Sequence, residues 1–185
     1  QPTPMKQVLT KLGQTKANID LSGIANARSA SLLCELLETQ LLQNSRYTEP
    51  KSLMPFRQKF FSQYGQDGML AEIFRRIGEG GKRFVEIGTA PQENNSNLLL
   101  IQGWSGLWVD AGLSADDQLP VSVQALLGTG RLRLCREFVN RENIREMLQS
   151  RQSGENLDLL SIDIDYNTYH VFTKLLSLRP RVICV

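Results

Sequence analysis

Histidine is almost absent from these 185 residues: there is one, His170. Cysteine is scarce as well, and Cys34, Cys135 and Cys184 lie far apart with no CxxC pair. That excludes the Cys/His spacings of structural zinc and the even-numbered framework of a disulfide scaffold. The expectation is three reduced, mostly buried thiols in a cytoplasmic protein. No apolar run approaches the roughly 20 residues of a membrane span. Charge of one sign is lacking too, since 21 Lys and Arg against 19 Asp and Glu leave +2. So small an excess gives no electrostatic reason to expect nucleic acid or an anionic membrane as partner. The start, Gln1-Pro2-Thr3-Pro4, carries neither the basic nor the apolar region of a signal peptide.

What is present is an ordinary globular composition, 41% apolar and 22% charged, on a chain long enough for one domain with a substantial core. The chain does not begin with Met and stops inside Arg181-Val182-Ile183-Cys184-Val185. Such an apolar, β-branched run is usually buried within a parallel sheet. A piece of a longer protein, cut before its last strands, is therefore expected.

The chain divides at about residue 60. Residues 1–28 are polar and weakly patterned, an arm or loose helical lead-in. From Ser31 to Asn44, Leu32, Leu33, Leu36, Leu37, Leu41 and Leu42 share one helical face, expected to pack on the chain's own domain. Arg46 to Phe60, with Pro50 and Pro55, reads as a linker. The core over 61–185 opens with Asp67 as an N-cap. Met69, Leu70, Ile73, Phe74 and Ile77 follow at helical spacing, up to the glycines at 78, 80 and 81. Strands are predicted at Arg83–Ile87, Gly106–Asp110, Arg131–Phe138, Leu157–Ile164 and Arg181–Val185. Helical stretches fall between them near 96–102, 118–127, 140–150 and 169–178. Alternation of this kind makes an α/β fold with right-handed crossovers and a mainly parallel sheet.

Ligands of such sheets bind at the carboxyl ends of the strands, near the point where strand order reverses. After the first strand come Glu86 and Gly88. A dinucleotide site would want GxGxxG for its pyrophosphate, and here Gly88 stands alone behind a carboxylate that would repel phosphate. Glu86 suits instead a ligand with a cationic amino-acid end and no phosphate, a description that fits S-adenosylmethionine. The plainer alternative is a strand-end Glu and a turn Gly without a ligand. Asp110 ends the second strand 22 residues beyond Gly88, close to the ~20-residue spacing of ribose-binding acids; otherwise it is a solvated loop aspartate. The fourth strand ends in Asp163 and Asp165, which alternation puts on one face. Two carboxylates that close need a proton, a cation or a metal to relieve them, which makes them catalytic candidates. A DxD metal site of a nucleotide-sugar glycosyltransferase and helix capping by Asp165 are the other readings. His170 has the pKa range for proton transfer, although a lone histidine at a helix start is more often structural. Trp104 and Trp108 are expected in the core.

Together these segments resemble a known family. Ser62-Gln63-Tyr64-Gly65-Gln66-Asp67-Gly68, Phe84-Val85-Glu86-Ile87-Gly88, Asn95-Ser96-Asn97, Gly103-Trp104-Ser105-Gly106-Leu107-Trp108-Val109-Asp110 and Ser161-Ile162-Asp163-Ile164-Asp165-Tyr166-Asn167 look like the FkbM-type methyltransferases, in the branch with an SQxGQD segment. The likeness runs from about residue 56 to the end. It implies a Rossmann-like class I methyltransferase fold, a three-layer sandwich, here with an N-terminal helical extension. It also implies S-adenosylmethionine as cofactor and a hydroxyl acceptor on a sugar, glycan or small metabolite. By the same resemblance Gln63 and Gln66 would lie over the cofactor pocket, beside Glu86, Gly88 and Asp110. Asp163, Asp165 or His170 would take the hydroxyl proton, or the two aspartates would hold a divalent ion. The chain departs from the family pattern at Ala90-Pro91-Gln92-Glu93, where a small or glycine-rich turn is usual, and at Tyr166, where glycine is. A non-catalytic module that binds a partner through the Ser31 to Asn44 helix is the competing expectation, and a homo-oligomer is expected through Arg181 to Val185 as an uncovered edge strand.

Overall fold

The computed structural model describes residues 23, 25–47 and 49–185, in two compact units, 1–55 and 56–185. Most of the expected lead-in, residues 1–22, lies outside the described residues. In the first unit, helix α1 covers residues 25–42 and so starts earlier than the leucine pattern alone indicated. Leu32, Leu33, Leu36, Leu37 and Leu41 are 57–62% exposed. Cys34, on the same helix, is exposed as well, while Cys135 is buried and Cys184 half-buried.

The second unit holds a five-stranded, all-parallel sheet in the order β3-β2-β1-β4-β5. The strands are β1 (Arg83–Ile87), β2 (Ser105–Val109), β3 (Leu132–Cys135), β4 (Leu159–Ile162) and β5 (Val182–Cys184). The helices are α2 (Gln66–Ile77), α3 (Asn97–Ile101), α4 (Val121–Gly128), α5 (Ile144–Ser150) and α6 (Thr168–Leu175). The chain steps outwards from β1 to β3, then crosses back to lay β4 beside β1. Strand order therefore reverses between β1 and β4, as in Rossmann-like sheets.

Each face of the sheet has its own core, because successive side chains alternate. Phe84, Trp108, Leu132 and Leu159 point to one side and meet Leu70 and Phe74 of α2, Leu99 and Leu100 of α3 and Val123 of α4. Val85, Ile87, Leu107, Val109, Leu160 and Ile162 point to the other and meet Ile144, Met147 and Leu148 of α5 and Val171 and Leu175 of α6. Trp104 and Trp108 are wholly buried, as core residues should be, and Trp104 stands edge-on to Phe74 with centroids 4.6 Å apart. A buried aromatic pair of this kind contributes about 0.5–1.5 kcal/mol beyond its area.

Three sequence expectations are corrected. Asp67 is not the N-cap of α2: Gly65 holds that position, at φ 83°, and Asp67 lies inside the first turn. Its Oδ2 accepts hydrogen bonds from the backbone N–H groups of Phe60, Phe61 and Ser62 and from the Ser62 hydroxyl, so it fastens the preceding segment. β3 ends at Cys135 rather than Phe138, which is 70% exposed. β4 ends at Ile162, so Asp163 and Asp165 follow the strand instead of alternating along it. The hydroxyl of Thr168 donates to the Ile164 carbonyl and accepts from the Ile164 N–H, drawing that segment into the turn before α6.

Candidate functional site

The carboxyl ends of β1 and β4 meet at Gly88, which has φ 79°. A Cβ there would lie 1.8 Å from the Asp163 carbonyl oxygen, so only glycine permits the approach. Backbone bonds Gly88 N–H to Val109 O (2.9 Å) and Asp163 N–H to Ile87 O (2.8 Å) tie the ends of β1, β2 and β4 together.

Glu86, one residue before the end of β1, points to the α3 side and is 2% exposed. Its carboxylate accepts from Asn95 N–H (2.7 Å), Ser96 N–H (3.1 Å) and the Ser96 hydroxyl. That hydroxyl in turn accepts from the Trp108 indole at 2.7 Å. Burial pushes the Glu86 carboxyl up to about 7, against the opposing pull of these donors. The loop is clamped further by side chains: Asn94 Oδ1 accepts from Ser96 and Asn97 N–H, and Asn97 Nδ2 donates to Pro91 O. Asn95 Nδ2 donates to the Ser161 hydroxyl across the sheet.

Beyond the ends of β2, β3 and β4 opens a cleft of about 360 Å³. Four carboxylates line it: Asp110, Glu137, Asp163 and Asp165, with Phe138, Val139 and Ile164 as its apolar part. No Lys, Arg or His is among its lining residues. Asp110 is half-buried, and its Oδ1 accepts from Gly112 N–H at 2.6 Å. Glu137 is bonded by Arg151 from outside the cleft. Asp163 and Asp165 are exposed.

Three of the residues singled out in the sequence, Asp110, Asp163 and Asp165, thus share one cleft. Gly88 supports it from below by the close approach to Asp163, and Glu86 is enclosed with its bonds directed to the loop. Gln63, exposed, and Gln66, whose Oε1 accepts from Tyr64 N–H, are not among the lining residues. Neither is His170, which is exposed and stands edge-on to Tyr169 at 5.7 Å. Glu137 and Phe138 were missed because the sequence pattern carried β3 through them. Tyr166 has φ 61° and is fully exposed, which explains why glycine is at ease where the resemblance expects it. Among the described residues no three His, Cys, Asp or Glu side chains group as a metal site, and no helix is long and apolar enough to cross a membrane. Comparison with protein-family models, curated proteins and solved structures finds no match.

Proposed function

We propose that the carboxyl-end cleft binds S-adenosylmethionine and that the domain serves methyl transfer to a hydroxyl of a sugar or small metabolite. The observation that carries this reading is a cleft beside the reversal of strand order, lined by carboxylates and by no basic side chain. A pyrophosphate would find no counter-charge there. A ligand with hydroxyls, an ammonium group and a sulfonium meets acceptors and opposite charge. Asp110, with one oxygen held by Gly112 and the other lacking a protein donor among the described residues, is placed to accept from ribose hydroxyls. Phe138 offers an aromatic face at the rim. The cofactor supplies an electrophilic methyl group, so the protein's task is to hold the acceptor oxygen in line. Asp163 or Asp165 takes the proton of that hydroxyl, or both hold a divalent ion as two of its ligands, the few-carboxylate mode usual for Mg²⁺.

One observation favours a second reading, a non-catalytic module. Glu86, Asn94, Asn95 and Asn97 direct their hydrogen bonds into the loop and the sheet, which leaves the loop after β1 with few groups to offer a ligand. Thermal unfolding with S-adenosylhomocysteine separates the two. At ~100 times its dissociation constant the ligand adds about 2.7 kcal/mol to the folded state. The methyltransferase reading expects that saturable rise; an unchanged transition at millimolar ligand overturns it in favour of the module.

A further inference from the structure

The sheet has a second cavity, at its other end. The amino-terminal ends of β1, β2 and β3, with the segment that follows α5, line an open pocket of about 350 Å³. Arg83 opens β1, Arg131 immediately precedes β3 and Arg133 lies within it, and all three line the cavity, with Ser105, Gln152 and Ser153 beside them. No Asp or Glu is among the lining residues.

Five arginines of this unit pair with carboxylates. Arg75 and Arg76 bond Glu72, Arg136 bonds Asp116, Arg151 bonds Glu137 and Arg181 bonds Asp158. Among the described residues the three cavity arginines form no such pair. Neutral oxygens hold them instead. Arg83 Nη2 donates to Gln152 O at 3.2 Å, and Arg131 Nη2 donates to Leu100 O and to Trp104 O, the latter at 3.0 Å. Arg133 donates to Arg151 O and to the Ser153 hydroxyl, the latter at 2.8 Å.

Carbonyl and hydroxyl oxygens fix these side chains without cancelling their charge. A guanidinium has five N–H groups in a rigid fork, and Nε and Nη1 of Arg83 and of Arg131 carry no bond to the protein among the described residues. Three arginines line one pocket with no carboxylate among its lining residues, a setting in which like charges favour an anion, and guanidinium forks match the oxygens of a phosphate group. The three charges are local on a chain of net charge +2, which favours a small anion over a polyanion. The volume is many times the ~30 Å³ of one water, room for a phosphate group and a small organic remainder.

We propose that this cavity is a binding site for a phosphate-class dianion, either inorganic phosphate or the phosphomonoester of a small metabolite. The inference is independent of the methyltransferase reading, since it concerns the opposite end of the sheet and a ligand that the acidic cleft would repel.

The test is thermal unfolding of the whole chain titrated with sodium phosphate, with glycerol 1-phosphate, and with sodium chloride at matched ionic strength. A saturable rise in Tm with phosphate or with the monoester, absent in chloride, is the expected result; whichever has the lower midpoint concentration identifies the source. Arg83→Gln raises that midpoint by about tenfold or more, the worth of charge-assisted bonds, and Arg83→Lys restores part of it. Gln152→Glu keeps every arginine and the Gln152 carbonyl while adding a negative charge at the wall, so weakened binding there does not reflect misfolding. The proposal is overturned if phosphate and monoester both act as chloride does, or if Arg83→Gln and Gln152→Glu both titrate as the parent.

Discussion

Glu86 and Ser96 bind each other twice, through the Ser96 N–H and through its hydroxyl, in a site from which water is excluded. The pair joins the end of β1 to the start of α3, and so decides the course of the loop between them. Because burial outweighs the donors and raises the Glu86 carboxyl to about 7, the native state binds this proton more tightly than the unfolded chain. The contribution is therefore fully present below the unfolded value, near 4.5, and is lost as pH rises through 7. Denaturant titrations from pH 4.5 to 8 should show stability falling across that window, by an amount on the order of 3 kcal/mol. Glu86→Gln, which cannot ionise, should flatten the slope. An equal slope in the variant would place the titration elsewhere.

Gly88 and Gly78 both have positive φ, at 79° and 76°, yet only Gly88 is crowded. A Cβ on Gly78 meets nothing within 4 Å. With ψ at 159° Gly78 sits in a region that is essentially glycine's alone, so Gly78→Ala should cost only that backbone strain, about 1–3 kcal/mol. Gly88→Ala must also push the Asp163 carbonyl away and should cost at least ~2 kcal/mol more. Chemical unfolding of the two variants measures the close approach directly, and equal losses would mean that β1 and β4 separate without strain.

Asp67 offers a test of how the segment before α2 is held. Asp67→Ala leaves three backbone N–H groups, those of Phe60, Phe61 and Ser62, without their acceptor. Loss of ~2–4 kcal/mol is expected, because bonds to a carboxylate are the strong ones and Ser62 is buried. Hydrogen exchange at residues 60–62 should accelerate in the variant well beyond the rest of the sheet; uniform exchange would show that packing alone holds the segment.

The sheet was legible in the sequence because burial on both faces writes continuous apolar runs. Arg83–Ile87 was read to the residue, and the others to within a few positions. Strand ends were misread at Phe138 and Ile164, where an apolar residue recurs beyond the end of the ladder, behind Arg136-Glu137 and behind Asp163. Periodicity records burial, whereas a strand ends where carbonyls lose their neighbours, as at Gly88 and Asp163. The role of Asp67 was misread for a related reason: capping was assigned from residue type, but the donors it serves precede it by five to seven residues. Of the acidic cleft, Asp110, Asp163 and Asp165 were visible as polar breaks after apolar runs, while Glu137 was hidden inside an overextended strand. Arg83, Arg131 and Arg133 carried no signal, since nothing in a linear pattern brings the beginnings of three strands together.

If the acidic cleft serves methyl transfer as proposed, its carboxylates divide between two tasks, and the division can be measured. Asp110 ends β2 and faces the cleft half-buried, with one oxygen committed to Gly112. If its other oxygen binds a ribose hydroxyl, Asp110→Ala removes a bond to a charged group worth ~1.5–3 kcal/mol, and the dissociation constant for S-adenosylhomocysteine should rise at least tenfold. Asp163 and Asp165 follow the end of β4, are exposed and line the same cleft. Asp163→Asn and Asp165→Asn preserve shape and remove the carboxylate proposed as base. In a methyl-transfer assay one of the two should lose ~10²–10⁴-fold in turnover with cofactor affinity nearly unchanged. A divalent ion held by the pair would instead make turnover sensitive to EDTA and recoverable with Mg²⁺. Should both asparagine variants keep full turnover while Asp110→Ala loses binding, the cleft holds the cofactor and the proton leaves by another route. Should all three behave as the parent, the cleft is not the site of the reaction.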